Sequence, residues 1–102
     1  MKKIKILAMT ATRADYPRVK KVLEEINKDK KFNLKIAVTG AHLLKKYGNT
    51  YKEILKDGFK IYKKFNIYNK NYDTLFGAVE AINNCSKKFG LLLNDIKPDM
   101  VL

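Results

Sequence analysis

The order in which hydrophobic periodicities follow one another constrains this chain most. Residues 3–10, Lys-Ile-Lys-Ile-Leu-Ala-Met-Thr, begin with alternation and end as a continuous apolar run. That pattern suits a strand buried on both faces of a parallel sheet. A short polar turn follows, Ala11-Thr12-Arg13-Ala14-Asp15-Tyr16. Asp15 or Tyr16 can cap a helix whose first turn tolerates Pro17. Val19, Val22, Leu23 and Ile26 then fall at i, i+3, i+4 and i+7 on one face, and Lys28 to Lys31 put cations at the carbonyl end, where the helix dipole favours them.

The pattern repeats along the chain. Asn33 to Thr39 reads as a second strand ending at Gly40, and Ala41-His42-Leu43-Leu44 opens an irregular or short helical piece. Thr50-Tyr51-Lys52-Glu53 matches the Thr-x-x-Glu capping box, so a second helix is expected to about Asp57, with Gly58 as a left-handed stop. Phe59 to Phe65 predicts a short third strand near an edge, and Tyr68 to Tyr72 a loop. From Asp73 onward, Leu75, Val79, Ile82, Phe89, Leu93 and Ile96 mark a long helix with Cys85 on its apolar side and Gly90 as a weak interior point. After Pro98, Asp99 to Leu102 begins a fourth strand. Strands alternating with helices imply right-handed β-α-β units in an α/β fold, a parallel sheet of expected order 3-2-1-4. Ligands of such sheets gather at the carboxyl ends of the strands, so the turns after residues 10 and 39 are where chemistry is expected.

Size and composition exclude several classes. The 102 residues, 46% hydrophobic with five Phe and six Tyr, fit one domain with a modest core and not a disordered basic tail. The uncharged run Ile36 to Leu44 is half of what a membrane span of roughly 20 residues needs. The lysine-led start superficially resembles a secretory signal, but Lys5 interrupts its apolar run and Arg13 and Asp15 follow at once. Cys85 is the lone cysteine and His42 the lone histidine, too few for an internal disulfide or a structural zinc site, and a reducing, cytoplasmic setting is the default expectation.

The formal charge of +12 divides by thirds of the chain as +6, +6 and 0. Twenty of the 22 basic residues are lysine. Phosphate clamps favour the forked guanidinium, so scattered lysine reads as solvated surface and the two arginines, Arg13 and Arg18, are the unusual residues. No Walker motif and no glycine-rich dinucleotide turn follows the first strand. Arg13 in the turn and Arg18 near the helix start, beside outward backbone N–H groups, suit a diphosphate; the structural alternative is that Arg13 caps a strand and Arg18 is solvated. His42, after the second strand, can donate to a ligand oxygen or act as acid or base, or be an ordinary packed residue. Cys85 reads as core. Lysines interleaved with aromatics from Lys60 to Tyr72 would suit single-stranded nucleic acid, but edge strands also carry lysine to block pairing.

Three segments together carry a resemblance: Thr12-Arg13-Ala14-Asp15-Tyr16, Val38-Thr39-Gly40-Ala41-His42-Leu43, and Tyr47-Gly48-Asn49-Thr50-Tyr51-Lys52-Glu53-Ile54 with Asp57-Gly58-Phe59. In order and spacing, with Lys97 to Leu102 added, the chain resembles the start of the hydrolysing UDP-N-acetylglucosamine 2-epimerases, in the branch serving sialic and related nonulosonic acids. The resemblance implies the Rossmann-like N-terminal half of a glycosyltransferase B type fold, interrupted in its fourth strand at Leu102, with the second nucleotide-binding domain beyond. It implies a reaction that removes UDP from UDP-N-acetylglucosamine across C1 and C2 and then hydrates the glycal to N-acetylmannosamine.

By the same resemblance Arg13 matches a substrate-contacting arginine, Arg18 a usually basic position, and His42 the histidine of a Gly-x-His-Leu segment, while Asp15 caps the helix and orients the arginine. Ala11 departs from a common glycine, and Pro17 from a usual small residue, which removes one expected polar contact. The family's Gly-Asp-Arg motif and catalytic carboxylates fall beyond residue 102, so the isolated chain is expected to be inactive. The implied partner is a UDP-sugar, with room for a homo-oligomer and with no cofactor, metal, nucleic acid or membrane. Two other functions remain open: a non-catalytic nucleotide-sugar or assembly module, and a nucleic-acid-binding protein.

Overall fold

The computed structural model describes residues 3–11, 15–40, 50–68 and 73–102. They form β1 (Ile4–Thr10), α1 (Asp15–Lys28), β2 (Phe32–Val38), α2 (Tyr51–Lys56), β3 (Lys63–Lys64), α3 (Leu75–Ile96) and β4 (Met100–Val101). The sheet order is β3-β2-β1-β4 and every pairing is parallel, as the alternation of periodicities implied. β1 and β2 pair along their whole lengths, from Ile4 opposite Phe32 to Thr10 opposite Val38. The flanking strands pair over two residues each, Met100 and Val101 on β1, Lys63 and Lys64 on β2.

Successive side chains of a strand point to opposite faces, so the two central strands supply two cores. Ala8, Ile36 and Val38 face α1 and α2, where Tyr16, Leu23, Ile54 and Phe59 cover them. Leu7 and Ala37 face the other way, under Leu92 and Ile96 of α3 and under Phe65. Cys85 packs half-buried against this second core, as expected of a core thiol. Each fully buried aliphatic side chain contributes about 1.5–3 kcal/mol.

The caps show how the elements stop. At the end of α2, Gly58 adopts φ +92°, its N–H bonds the Leu55 carbonyl at 3.0 Å and the Phe59 N–H bonds the Ile54 carbonyl at 3.3 Å. This is a Schellman closure, and its hydrophobic partners Phe59 and Ile54 meet in the first core. At the start of α3 the Thr74 hydroxyl accepts the Gly77 N–H at 2.9 Å. The connection to β4 is held by Asp99, whose carboxylate accepts the Lys5 N–H at 2.8 Å while its own N–H reaches the Lys5 carbonyl at 2.9 Å.

Several expectations are corrected. Thr50 occupies the N-cap of α2 in a helical conformation (φ −61°, ψ −11°) and makes no side-chain cap bond, so the Thr50 hydroxyl half of the predicted capping box does not form. Tyr16 is not a cap but the second residue of α1, and it is 3% exposed in the core. Val22, assigned to the apolar stripe, is 48% exposed at its margin, whereas Leu23 is fully buried. The predicted third strand shrinks to Lys63–Lys64, because Phe59 is drawn into the α2 cap and the first core.

In α3 the expected apolar face is not the covered one in the first half of the helix: Leu75, Val79 and Ile82 are 91%, 53% and 66% exposed, while Gly77 and Ala81 are buried. A helix of 22 residues is about 33 Å long. The seven-residue central strands span about 23 Å, so α3 outruns the sheet it covers. The piece expected at 41–44 and most of the loop expected at 68–72 lie outside the described residues.

Gly90 lies inside α3, and a β-carbon built there meets nothing within 4 Å. Gly90→Ala should therefore stabilise the fold by about 0.5–1 kcal/mol, read as a rise in the urea midpoint; an unchanged or lower midpoint would contradict a continuous helix here.

Candidate functional site

Because the sheet is parallel, the carboxyl ends of its strands lie along one edge. β1 and β2 remain in contact past their last paired residues: the Thr39 N–H bonds the Thr10 carbonyl at 3.1 Å. Gly40 follows in the left-handed region, φ +65°, and a β-carbon there would sit 2.7 Å from the Ala11 carbonyl oxygen. Only a glycine lets the backbone leave β2 in that direction at that distance. The segments after β1 and β2 therefore start from two backbones in direct contact. Arg13 follows Ala11 by two positions and His42 follows Gly40 by two.

Arg13 and His42 lie outside the described residues. The other two predicted site residues are placed. Asp15 opens α1 and is exposed, its charge favourable at the positive end of the helix dipole. Arg18 follows in the first turn, also exposed. The structure thus brings Asp15 and Arg18 together at the start of the helix that the Arg13 segment leads into.

Behind this edge lies an anchor that sequence reasoning missed. The Tyr16 hydroxyl donates to the Asp57 carboxylate at 2.7 Å, and Lys20 reaches the same carboxylate at 3.3 Å. The Tyr16 ring meets Phe59 edge to face, 6.4 Å between centroids at 88°. Burial, then the neighbouring Asp57, push the Tyr16 phenol well above its ordinary range. The same bond, and next the Lys20 ammonium, hold the Asp57 carboxyl below the ordinary carboxylate range. A signal was present: Tyr16 precedes Val19, Leu23 and Ile26 by three, seven and ten positions, so it continues their stripe by one turn.

A second buried bond fixes the exit of β3: the Thr39 hydroxyl donates to the Phe65 carbonyl at 2.8 Å. Beside it, a groove of about 590 Å³ runs between Lys63–Asn66 and the second half of α3; neither Asp15 nor Arg18 lines it. Several basic and aromatic residues of that region are engaged within the protein. Lys64 Nζ stands 4.4 Å over the Tyr51 ring, Lys35 Nζ 4.9 Å over Tyr62, and the Tyr62 hydroxyl donates to Asp95 at 2.8 Å. Among the described residues no helix is long and apolar enough to cross a membrane, and no cluster of three metal-ligating side chains occurs.

No protein-family model matches the chain. Individual proteins do. It is 40% identical over all 102 residues to the GDP/UDP-N,N'-diacetylbacillosamine 2-epimerase (hydrolyzing) of Campylobacter jejuni, covering 26% of that protein. It is 35% identical over 98 residues to the UDP-N-acetylglucosamine 2-epimerase of Neisseria meningitidis, covering 96% of this chain and 25% of the relative. A crystal structure of a UDP-N-acetylglucosamine 2-epimerase superposes with a TM-score of 0.76 at 24% identity, over 99% of this chain and 25% of that one, and this shows the shared fold. The chain spans about a quarter of the length of the curated relatives it matches. In sequence the chain is a homologue of about a quarter of the length of the nucleotide-sugar 2-epimerases that it matches, and it shares the fold of the corresponding part of the solved one.

Proposed function

We propose that these 102 residues form the phosphate-binding wall of a hydrolysing 2-epimerase acting on a UDP-linked 2-acetamido sugar. The observation that carries this reading is the close approach of Ala11 to Gly40 at the carboxyl edge of the sheet, two positions before Arg13 and His42 in the sequence. Arg13 and Arg18 neutralise the diphosphate with help from the first N–H groups of α1, and guanidinium groups suit that task because they bind phosphate oxygens bidentately. Asp15 holds the helix start and orients Arg13. His42 donates to a sugar or phosphate oxygen.

The reaction eliminates UDP across C1 and C2 and hydrates the resulting glycal to give the 2-epimer, N-acetylmannosamine when the substrate is UDP-N-acetylglucosamine. Removing the proton at C2 requires a positioned base. We assign that base, and the second nucleotide-binding domain of a glycosyltransferase B type architecture, to the three quarters of the relatives that this chain does not span. The substrate class covers both sugars named in the relatives, N-acetylglucosamine and diacetylbacillosamine. The setting is cytoplasmic, where nucleotide sugars are made, and the lysine-rich surface serves no nucleic acid.

Titrating UDP into the 102-residue chain tests the reading. Weak binding is expected, reduced by roughly tenfold or more in Arg13→Ala through loss of a charge-assisted contact. UDP-N-acetylglucosamine should be left intact by the chain alone. Absence of UDP binding overturns the nucleotide reading, and release of UDP and N-acetylmannosamine overturns the assignment of the base.

A further inference from the structure

We infer that the exposed flank of α3 is a helix–helix seam on which a second copy of this chain docks antiparallel, burying Leu75, Val79 and Ile82 of both copies. Leu75, Val79, Ile82, Ser86, Phe89 and Leu93 follow one another at alternating steps of four and three residues. That is the 3.5-residue repeat with which one helix packs into the side of another.

The fold leaves most of this seam uncovered. The buried residues of α3 are Gly77, Ala81, Leu92 and Ile96, and the last two pack on Leu7 and Ala37 of the sheet. With 3.6 residues per turn, the four centre about 110° round the helix from the seam. Leu75, Val79 and Ile82 therefore stay 91%, 53% and 66% exposed, with Phe76 beside them at 67%, while Phe89 and Leu93 at the far end are half-buried in the second core. A single exposed leucine is ordinary, but four large apolar side chains on adjacent turns of one helix mark an interface.

Charge selects the occupant. The chain carries +12, so two copies repel wherever lysine lies between them. The four charged residues of α3, Glu80, Lys87, Lys88 and Asp95, fall about 120° to 220° round the helix from Leu75, on the side away from the seam. The positions that flank its exposed part, Phe76, Ala78, Asn83 and Cys85, are uncharged. Two copies can thus meet here without repulsion, whereas an acidic partner finds no cation on the strip. A twofold pair needs a face complementary to itself. Antiparallel alignment about a point midway between Val79 and Ile82 sets Val79 of one copy over the partner's Ile82 and Leu75 over the partner's Ser86, large side chain on small, with the helix dipoles opposed.

Sedimentation velocity of the 102-residue chain, with no nucleotide present, tests this. Wild type should be dimeric at about 100 μM, and the dimer should tighten as salt is raised, because salt screens the net repulsion and leaves the apolar seam untouched. Val79→Glu and Ile82→Lys should each weaken dimerisation by roughly a hundredfold, since each puts two unpaired charges into the seam. Both positions are more than half exposed, so the melting temperature of the monomer should hold; Leu75→Glu, at the most exposed position, should weaken the dimer by at least about tenfold with still less effect on the fold. Mixed in equal amounts, the Val79→Glu and Ile82→Lys variants should pair with each other, because the antiparallel register brings the two new charges together. A wild-type chain that stays monomeric at about 1 mM, dimers that survive all three substitutions, or dimers that weaken with salt overturn the seam. Failure of the two mixed variants to pair overturns the antiparallel docking.

Discussion

Leu7→Ala is expected to lower stability by about 3–4 kcal/mol, the largest effect of any single truncation considered. Leu7 is 0% exposed at the centre of β1, the strand that pairs on both sides, and its side chain anchors the second core against Ala37, Phe65, Leu92 and Ile96. The cost combines lost transfer free energy with the cavity left behind, and relaxation is limited because the sheet backbone on either side is hydrogen bonded. A domain of this size has roughly 5–15 kcal/mol in total, so the variant should unfold about 2 M earlier in urea with an unchanged m-value. A shift corresponding to less than about 1 kcal/mol would mean that α3 does not cover β1 as described.

Gly40→Ala is expected to cost about 2–3 kcal/mol, for two separable reasons. The residue has φ +65°, which L side chains adopt only with strain, and the new β-carbon would lie 2.7 Å from the Ala11 carbonyl oxygen, a backbone atom that cannot swing aside. Gly58→Ala is the control. It has φ +92° but nothing within 4 Å of a built β-carbon, so it should carry the conformational strain alone, about 1 kcal/mol. The difference between the two variants measures how closely the strands' exits approach. On the proposed nucleotide reading, Gly40→Ala should also weaken UDP binding by the folded chain, since it forces Gly40 away from Ala11 at the carboxyl edge of the sheet. Equal destabilisation by the two substitutions would show that the Ala11 contact is slack.

Much of the architecture was legible residue by residue. The apolar run of β1, the stripe Val19, Leu23, Ile26, and the Gly58 stop each encode a local conformation through sterics or periodicity, and each is found where expected. What misled was the assumption that an apolar residue at helical spacing is a covered one. Leu75, Val79 and Ile82 satisfy the spacing and are exposed, while Gly77 and Ala81 in the same turns are buried, since the face a helix covers depends on how it is set against the rest of the fold. The Thr-x-x-Glu pattern at residues 50–53 marked the start of α2 correctly, but Thr50 sits in a helical conformation at the cap and its side chain makes no cap bond. For the site, the sequence pointed to the edge after residues 10 and 39; of the residues it singled out, Asp15 and Arg18 are found at the start of α1, and Arg13 and His42 lie outside the described residues. The Tyr16–Asp57 anchor was not legible, because nothing in either neighbourhood announces a partner 41 positions away.

By itself the sequence determined the order and kind of the elements, and through the right-handedness of β-α-β units a parallel sheet with β1 and β2 at its centre. Those properties follow from interactions within a few residues and from a chiral rule that any such alternation obeys. The tertiary structure alone decided which apolar groups are covered, how tightly Gly40 passes Ala11, and which carboxylate holds Tyr16. These depend on distances between elements remote in the chain, set only when both faces of the sheet are packed at once.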